Sequence, residues 1–159
     1  NTSDVNKKLA KHSNLLPYYN FMCGFPTETR EDLFKSTSLA WDILKHNKMA
    51  IISPFHIYKP YPGTAMFEIA KKQGFKEPGT LEEWAKMDWT TQTAFDFPKS
   101  LSKLFKSVSI VSIGIDKKVE AQSNSKLLRI LAKAYRPYAR FRFKNNFYSF
   151  MPEKHFMNV

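Results

Sequence analysis

The first segment with residue types suited to ligand binding is Asn20–Phe34, NFMCGFPTETREDLF, where an apolar run ends in Gly24, Phe25 and Pro26. Gly24 lets a ligand approach the backbone closely because it has no Cβ. Phe25 and Pro26 offer flat apolar surface suited to a purine ring, and the Glu28 carboxylate is an acceptor for a ligand amine or hydroxyl. A tight βα turn followed by a helix cap explains the same residues, and on spacing alone this second explanation is preferred.

The second such segment is Phe55–Thr64, FHIYKPYPGT, which again lies between an apolar run and a helical pattern. His56 and Tyr58 alternate along the chain, so a strand would send both side chains to one face. His56 suits proton transfer or the orientation of a substrate, although a buried, hydrogen-bonded histidine is the commoner case. Lys59 suits an anionic ligand group, with a solvated loop lysine as the preferred alternative.

Cys23 is the one cysteine of the chain. A free cysteine usually behaves as a small buried hydrophobe, and no basic residue adjoins Cys23 to lower its pKa. We therefore expect a packing role. One cysteine makes neither an intramolecular disulfide nor a cysteine-based metal site. We predict no metal ligands and no catalytic residue in this chain, and a reducing cytoplasmic location.

The C-terminal part of the chain is strongly basic and rich in aromatic residues, within a formal net charge of +11. Such a mixture suits phosphate contacts with base stacking, or an acidic membrane surface. A solvated helix face, or a surface packed on a missing domain, is the preferred explanation. The cations are Lys126, Arg129, Lys133, Arg136, Arg140, Arg142 and Lys144, and the interleaved aromatics are Tyr135, Tyr138, Phe141 and Phe143.

Two strands and two helices must position the first two segments. Apolar runs predict strands at residues 15–23 and 49–58, with Pro54 indicating a bulge or an edge in the second. Thr29 with Asp32 has the form of a capping box that opens a helix between them. This order predicts a parallel, right-handed βαβ crossover. Thr64 then caps a second helix.

The pattern changes after Gly74, a residue that suits the end of that second helix. Amphipathic helices are predicted at residues 98–115 and 125–136, and Pro137 should end or kink the latter. We accordingly divide the chain into an α/β unit at residues 1–76 and a mostly helical extension at residues 77–159.

Three stretches taken in order resemble a known family: FMCGFPTETREDL, ISPFHIYKPYPGTAMFEIAKKQGFKEP and LEEWAKMDW. They are similar to the later part of radical S-adenosylmethionine (SAM) enzymes. Within that family they resemble the cobalamin-associated branch that includes anaerobic Mg-protoporphyrin IX monomethyl ester oxidative cyclases. In that branch a Gly-Phe/Leu-Pro-x-Glu-Thr turn precedes a Pro-Tyr/Leu-Pro-Gly-Thr loop. The resemblance spans about residues 17–90 and is only loose from residue 98 onward.

The resemblance implies the last two βα units of a partial (β/α)6 barrel, followed by a mostly helical C-terminal extension. It implies that five residues run beside the adenosyl group of SAM, namely Met22, Gly24, Phe25, Pro26 and Glu28. It also implies that a second set lies near the substrate, namely His56, Tyr58, Pro62, Gly63 and Thr64.

The chain departs from this family in lacking the Cys-x-x-x-Cys-x-x-Cys loop that holds a 4Fe–4S cluster, the Gly-Gly-Glu element, and a cobalamin domain. It begins without Met, so we expect a C-terminal fragment whose partner is the N-terminal part of a parent enzyme. That parent would use SAM, the cluster and, in part of this branch, cobalamin to form a 5′-deoxyadenosyl radical for a cyclase- or methyltransferase-type reaction. The fragment alone should be inactive and should bind none of these cofactors.

Two other functions stay open from the sequence. The basic tail fits a nucleic-acid-binding module, although nucleic acid is not the partner we favour. The two strands fit a structural module, because the open edges of a two-stranded sheet favour pairing with another chain, such as a homodimer partner. No apolar run approaches the length of about 20 residues that a membrane span needs.

Overall fold

A computed structural model describes residues 1–86, 97–116 and 125–149 of the chain. Within these ranges the protein is a mixed α/β structure with six helices and a small parallel sheet of two strands. The elements in chain order are α1 (Thr2–Leu9), β1 (Tyr18–Cys23), α2 (Arg30–His46), β2 (Ile51–Ile57), α3 (Ala65–Lys72), α4 (Leu81–Ala85), α5 (Lys99–Ile113) and α6 (Lys126–Lys144).

The predicted parallel pairing is confirmed, since β1 and β2 are parallel neighbours joined through α2. Both strands are shorter than predicted. The predicted capping box is also present: the Thr29 hydroxyl accepts from the Asp32 N–H at 3.2 Å, and the Asp32 carboxylate accepts from the Thr29 N–H at 3.3 Å. Because this box satisfies N–H groups that a helix end leaves unpaired, α2 begins immediately after the turn that follows β1.

A bulge interrupts the strand pairing at Pro54, as the sequence predicted. Tyr19 is opposite Ile52, but the next paired residue, Phe21, is opposite Phe55, so β2 holds one residue more than β1 there. Proline has no N–H to donate. Next to it, the Ser53 hydroxyl accepts from the Phe21 N–H at 3.1 Å, so this N–H group of β1 is paired at the bulge.

Helix α5 covers the edge of β2 that faces away from β1. Two side chains, one in the last turn of this helix and one three residues beyond its end, accept hydrogen bonds from strand N–H groups. The Ser112 hydroxyl accepts from Phe55 at 2.8 Å, and the Asp116 carboxylate accepts from Ile52 at 3.2 Å. These side chains take the place of a third strand. The opposite edge of β1 has no strand beside it within the described residues, so pairing with a second chain stays a prediction.

Among the described residues, the larger hydrophobic core lies on one face of the sheet. Helices α2, α5 and α6 pack on that face, because alternate strand residues point toward them. The strand residues in this core are Tyr19, Phe21, Cys23, Ile52, Phe55 and Ile57, and the helical ones include Leu33, Ile43, Phe105, Val108 and Phe143. The other face of β1 carries Tyr18, Asn20 and Met22, which are exposed.

Of the two effects predicted for Pro137, an end or a kink of the helix, the end is wrong, because α6 continues through Pro137 to Lys144. Its last turns carry Ala139 and Phe143 into the same core as the sheet. The division at residue 76 stays a prediction, although residues of α5 and α6 contribute to the core of the N-terminal unit. No helix in the described ranges has the length and apolar character to cross a membrane.

Candidate functional site

The turn after β1 is closed by the Glu28 side chain. Its carboxylate accepts from the backbone N–H groups of Gly24 at 2.5 Å and Phe25 at 3.1 Å. Gly24 has a φ of 81°, a left-handed conformation that favours glycine. Burial raises the pKa of Glu28, against the lowering effect of these two hydrogen bonds. The carboxylate thus holds the turn, and the predicted contact between Glu28 and the adenosyl group stays a prediction.

The turns after the two strands contact each other, as expected for loops at the same edge of a parallel sheet. The rings of Phe25 and Tyr58 stack with centroids 4.7 Å apart. The Tyr58 N–H donates to the Cys23 carbonyl at 2.7 Å, which continues the strand pairing by one residue. Tyr58 is buried in a second apolar cluster with Phe67 and Phe75. One face of the Phe25 ring is therefore taken by Tyr58.

Met22 and His56 are direct neighbours on the uncovered face of the sheet, since they are paired in the strand register. Met22 is 44% exposed and His56 is half-buried. Of the ten residues predicted to contact cofactor or substrate, these two form the pair that the strands place side by side. Pro26 is buried in the turn that follows β1.

Pro62, Gly63 and Thr64 form an exposed turn that leads into α3. The Thr64 hydroxyl accepts from the Phe67 N–H at 3.2 Å, which confirms it as the helix cap. Gly63 has a φ of +84°, and a Cβ built there would meet nothing within 4 Å. The predicted role of this turn in substrate binding stays a prediction.

Cys23 is fully buried in the core. Burial raises the pKa of its thiol, and the nearby charge of Glu28 raises it further. A buried thiol in this state is a poor metal ligand, because metals bind the thiolate. The described residues contain no group of three or more His, Cys, Asp or Glu side chains that would hold a metal ion. This chain's own residues therefore do not fit an iron–sulfur cluster.

Part of the basic tail belongs to the core. Arg142 is fully buried, its Nε donates to the Phe147 carbonyl at 3.0 Å, and its guanidinium lies 5.3 Å from the Tyr138 ring centroid. Phe143 packs against Phe55. Two residues of the basic and aromatic pattern at the end of α6, Arg142 and Phe143, thus serve packing. The first turns of α6 instead expose cations beside Leu127, Ile130 and Leu131.

The sequence interpretation missed one group of residues altogether. Arg30, Lys103 and Tyr148 line a common cavity, and they come from three separate segments of the chain. No spacing in the sequence joins these segments, so no local signal could have found the group.

Comparisons of the chain with models of protein families, with curated proteins and with solved structures give no match. The resemblance to radical SAM enzymes therefore depends on the two turns and on the motif that begins with α4. The last residues of that motif, 87–89, lie outside the described part of the chain.

Proposed function

We propose that this chain is the C-terminal part of a radical SAM enzyme and forms one wall of its active site. The observation that supports the proposal best is the one-sided core. Helices cover one face of the β1–β2 sheet, while the other face exposes Tyr18, Asn20 and Met22. In a (β/α) barrel the helices cover the outer face of the strands and the inner face turns toward the barrel interior, so a piece with two strands would leave its inner face exposed.

The arrangement of the turns also supports the proposal. Ligands of α/β folds bind beyond the carboxyl ends of the parallel strands. Gly24 and Phe25 follow β1 at that edge, and Tyr58 follows β2 and stacks on Phe25. The hydrogen bonds from Gly24 and Phe25 to Glu28 fix the turn, so a ligand would meet a preformed surface.

The share of this chain in the reaction is to bind, orient and exclude water. SAM with an iron–sulfur cluster supplies the radical chemistry in such enzymes, and the cluster ligands must come from another part of the parent. Met22 offers an apolar contact on the open face, and His56 beside it offers a polar one. The finer assignment, to a cyclase or methyltransferase reaction of the cobalamin-associated branch, belongs to the same proposal.

The reading frame upstream of residue 1 provides the first test. We expect a Cys-x-x-x-Cys-x-x-Cys loop there, and its absence would refute the proposal.

The second test uses the full-length protein, reconstituted with iron and sulfide without oxygen. We expect it to cleave SAM to 5′-deoxyadenosine, measured by chromatography. Met22→Glu should raise the apparent Km for SAM about tenfold or more, since it introduces a charge on the apolar wall. Val5→Glu is the matched control, because Val5 is 53% exposed on α1, away from the strands. Equal kinetics of the two variants would contradict a role for the open face.

A further inference from the structure

A cavity of about 430 Å³ lies among the helices, separate from the open face of the sheet. Its walls come from the first residue of α2, the first half of α5 and the segment after α6. Six of the polar and charged residues in its wall carry the inference: Arg30, Ser100, Lys103, Asn146, Tyr148 and Ser149. The wall thus combines two cations with several hydrogen-bond donors.

The two cations have no acidic partner in the described part of the chain. Ion pairs there include the amino terminus with Asp4, Lys35 with Asp32, His46 with Asp42, and Lys71 with Glu77, none of which involves Arg30 or Lys103. The Arg30 guanidinium lies 5.1 Å from the centroid of the Phe34 ring. This contact holds the guanidinium in place and leaves its N–H groups available for an anion.

Tyr148 provides an independent indication of a ligand. Its side chain is in the cavity wall, the residue is only 8% exposed, and its buried hydroxyl makes no hydrogen bond within the described structure. Phe34 stacks against the Tyr148 ring with centroids 6.5 Å apart. A buried hydroxyl is normally hydrogen-bonded, and one that is not calls for an explanation such as a bound group. Burial raises the pKa of Tyr148, so the hydroxyl keeps its proton and is a donor.

The remaining polar residues also favour an acceptor-rich ligand. The Thr37 hydroxyl donates to the Asn146 Oδ1 at 2.9 Å, which leaves the Asn146 amide N–H groups as donors. Ser100 and Ser149 add two hydroxyl groups. A phosphate monoester has three terminal oxygens and up to two negative charges, whereas a carboxylate has two oxygens and one charge. A cavity wall with two cations and four or more neutral donors therefore suits a phosphate monoester better than a carboxylate.

We propose that this cavity binds a small soluble molecule that carries a phosphate monoester, between the Arg30 and Lys103 cations, with the Tyr148 hydroxyl as a buried donor. The volume leaves room for an organic group beyond the phosphate. The site involves none of the residues on the open face of the sheet, so it stands or fails independently of the function proposed above.

Isothermal titration of the purified chain at low ionic strength tests this site. The probes are inorganic phosphate, adenosine 5′-monophosphate, citrate, and vesicles that contain phosphatidic acid. We expect binding of both phosphate probes, with citrate at least tenfold weaker, and weaker binding as salt is added. Absence of phosphate binding would overturn the proposal, as would citrate binding with equal affinity. Binding to vesicles alone would assign the phosphate to a lipid headgroup and would also overturn it.

Four variants locate the binding. Lys103→Met and Tyr148→Phe should each weaken phosphate binding about tenfold or more, as expected for the loss of a charge-assisted hydrogen bond. Lys45→Met and Arg129→Met are matched controls, since both residues are exposed and neither belongs to the cavity wall. Tyr148→Phe preserves the ring, so it keeps the test valid even if Lys103→Met unfolds the chain. Unchanged affinity of Tyr148→Phe, or equal losses in the controls, would overturn the proposed site.

Discussion

The hydrogen bond between Ser112 and Phe55 allows a sharp test of how the small sheet is held. The Ser112 hydroxyl accepts from the Phe55 N–H at 2.8 Å, and both residues are fully buried. Ser112→Ala removes the acceptor and leaves a buried backbone donor unpaired. Because β2 has α5 in place of a third strand at this edge, no neighbouring strand in the described structure supplies another carbonyl.

The expected cost follows from the desolvation of the orphaned N–H group. An unsatisfied buried donor costs about 1–3 kcal/mol, so Ser112→Ala should lower the free energy of unfolding by that amount. Ser107→Ala is the control, because Ser107 is also buried on α5 but its hydroxyl only donates to the Lys103 carbonyl at 2.7 Å, within its own helix. Such a bond adds little to a helix, and Ser107→Ala leaves no backbone donor unpaired, so the control should lower stability less than Ser112→Ala does.

Urea unfolding followed by circular dichroism measures both variants, with the same denaturant slope required for a valid comparison. Hydrogen exchange adds a local measurement, since the Phe55 amide should lose protection in Ser112→Ala and keep it in Ser107→Ala. Equal stabilities of the two variants, together with a protected Phe55 amide, would refute the claim that α5 replaces a strand.

Three further predictions concern single sites. Gly114→Ala should destabilise the chain by about 1–3 kcal/mol through overpacking, because a Cβ there would lie 2.8 Å from ring carbons of Tyr135; unchanged thermal unfolding would contradict the close contact of α5 with α6. Folding raises the pKa of Glu28, so its contribution to stability is fully present below its unfolded pKa of about 4.3 and is lost as pH rises through the folded pKa. Glu28→Gln keeps an acceptor oxygen without this titration, so its stability relative to the native chain should rise between about pH 4 and pH 7 in chemical denaturation; a constant difference would show that Glu28 titrates normally. Cys23 should react with a thiol reagent at pH 8 only after denaturant is added, because the thiol is buried and its pKa is raised; rapid labelling of the native chain would contradict its position in the core.

The features that the sequence predicted well depend on neighbouring residues. The capping box at Thr29 and Asp32 needs only its own helix end. Pro54 disrupts the strand pairing locally because it lacks an N–H. Thr80 caps α4 in the same local way: its hydroxyl accepts from the Glu83 N–H at 3.3 Å, and the Glu83 carboxylate accepts from the Gly79 N–H at 2.7 Å.

The features that the sequence interpretation missed depend on residues far apart in the chain. Phe55 and Ser112 are 57 positions apart, and no periodicity in either segment reports the other. Helix α6 continues past Pro137 because its last turns gain burial in the core, where Phe143 packs against Phe55. Burial of this kind overrides a local propensity. The predicted contacts of Met22 and His56 with a ligand stay predictions.

The extra residue at Ser53 and Pro54 shifts the alternation of side chains between the two faces of β2. Side chains of a regular strand alternate, so without the bulge Phe55 would share the face of Ile51, and His56 would turn into the core. Deletion of either Ser53 or Pro54 would therefore remove the bulge and leave a regular strand with Phe55 still in the core, whereas deletion of both would turn Phe55 out of the core. Ile51 and His56 lie on the same face of the sheet although an even number of residues, four, separates them, and the bulge accommodates the extra one.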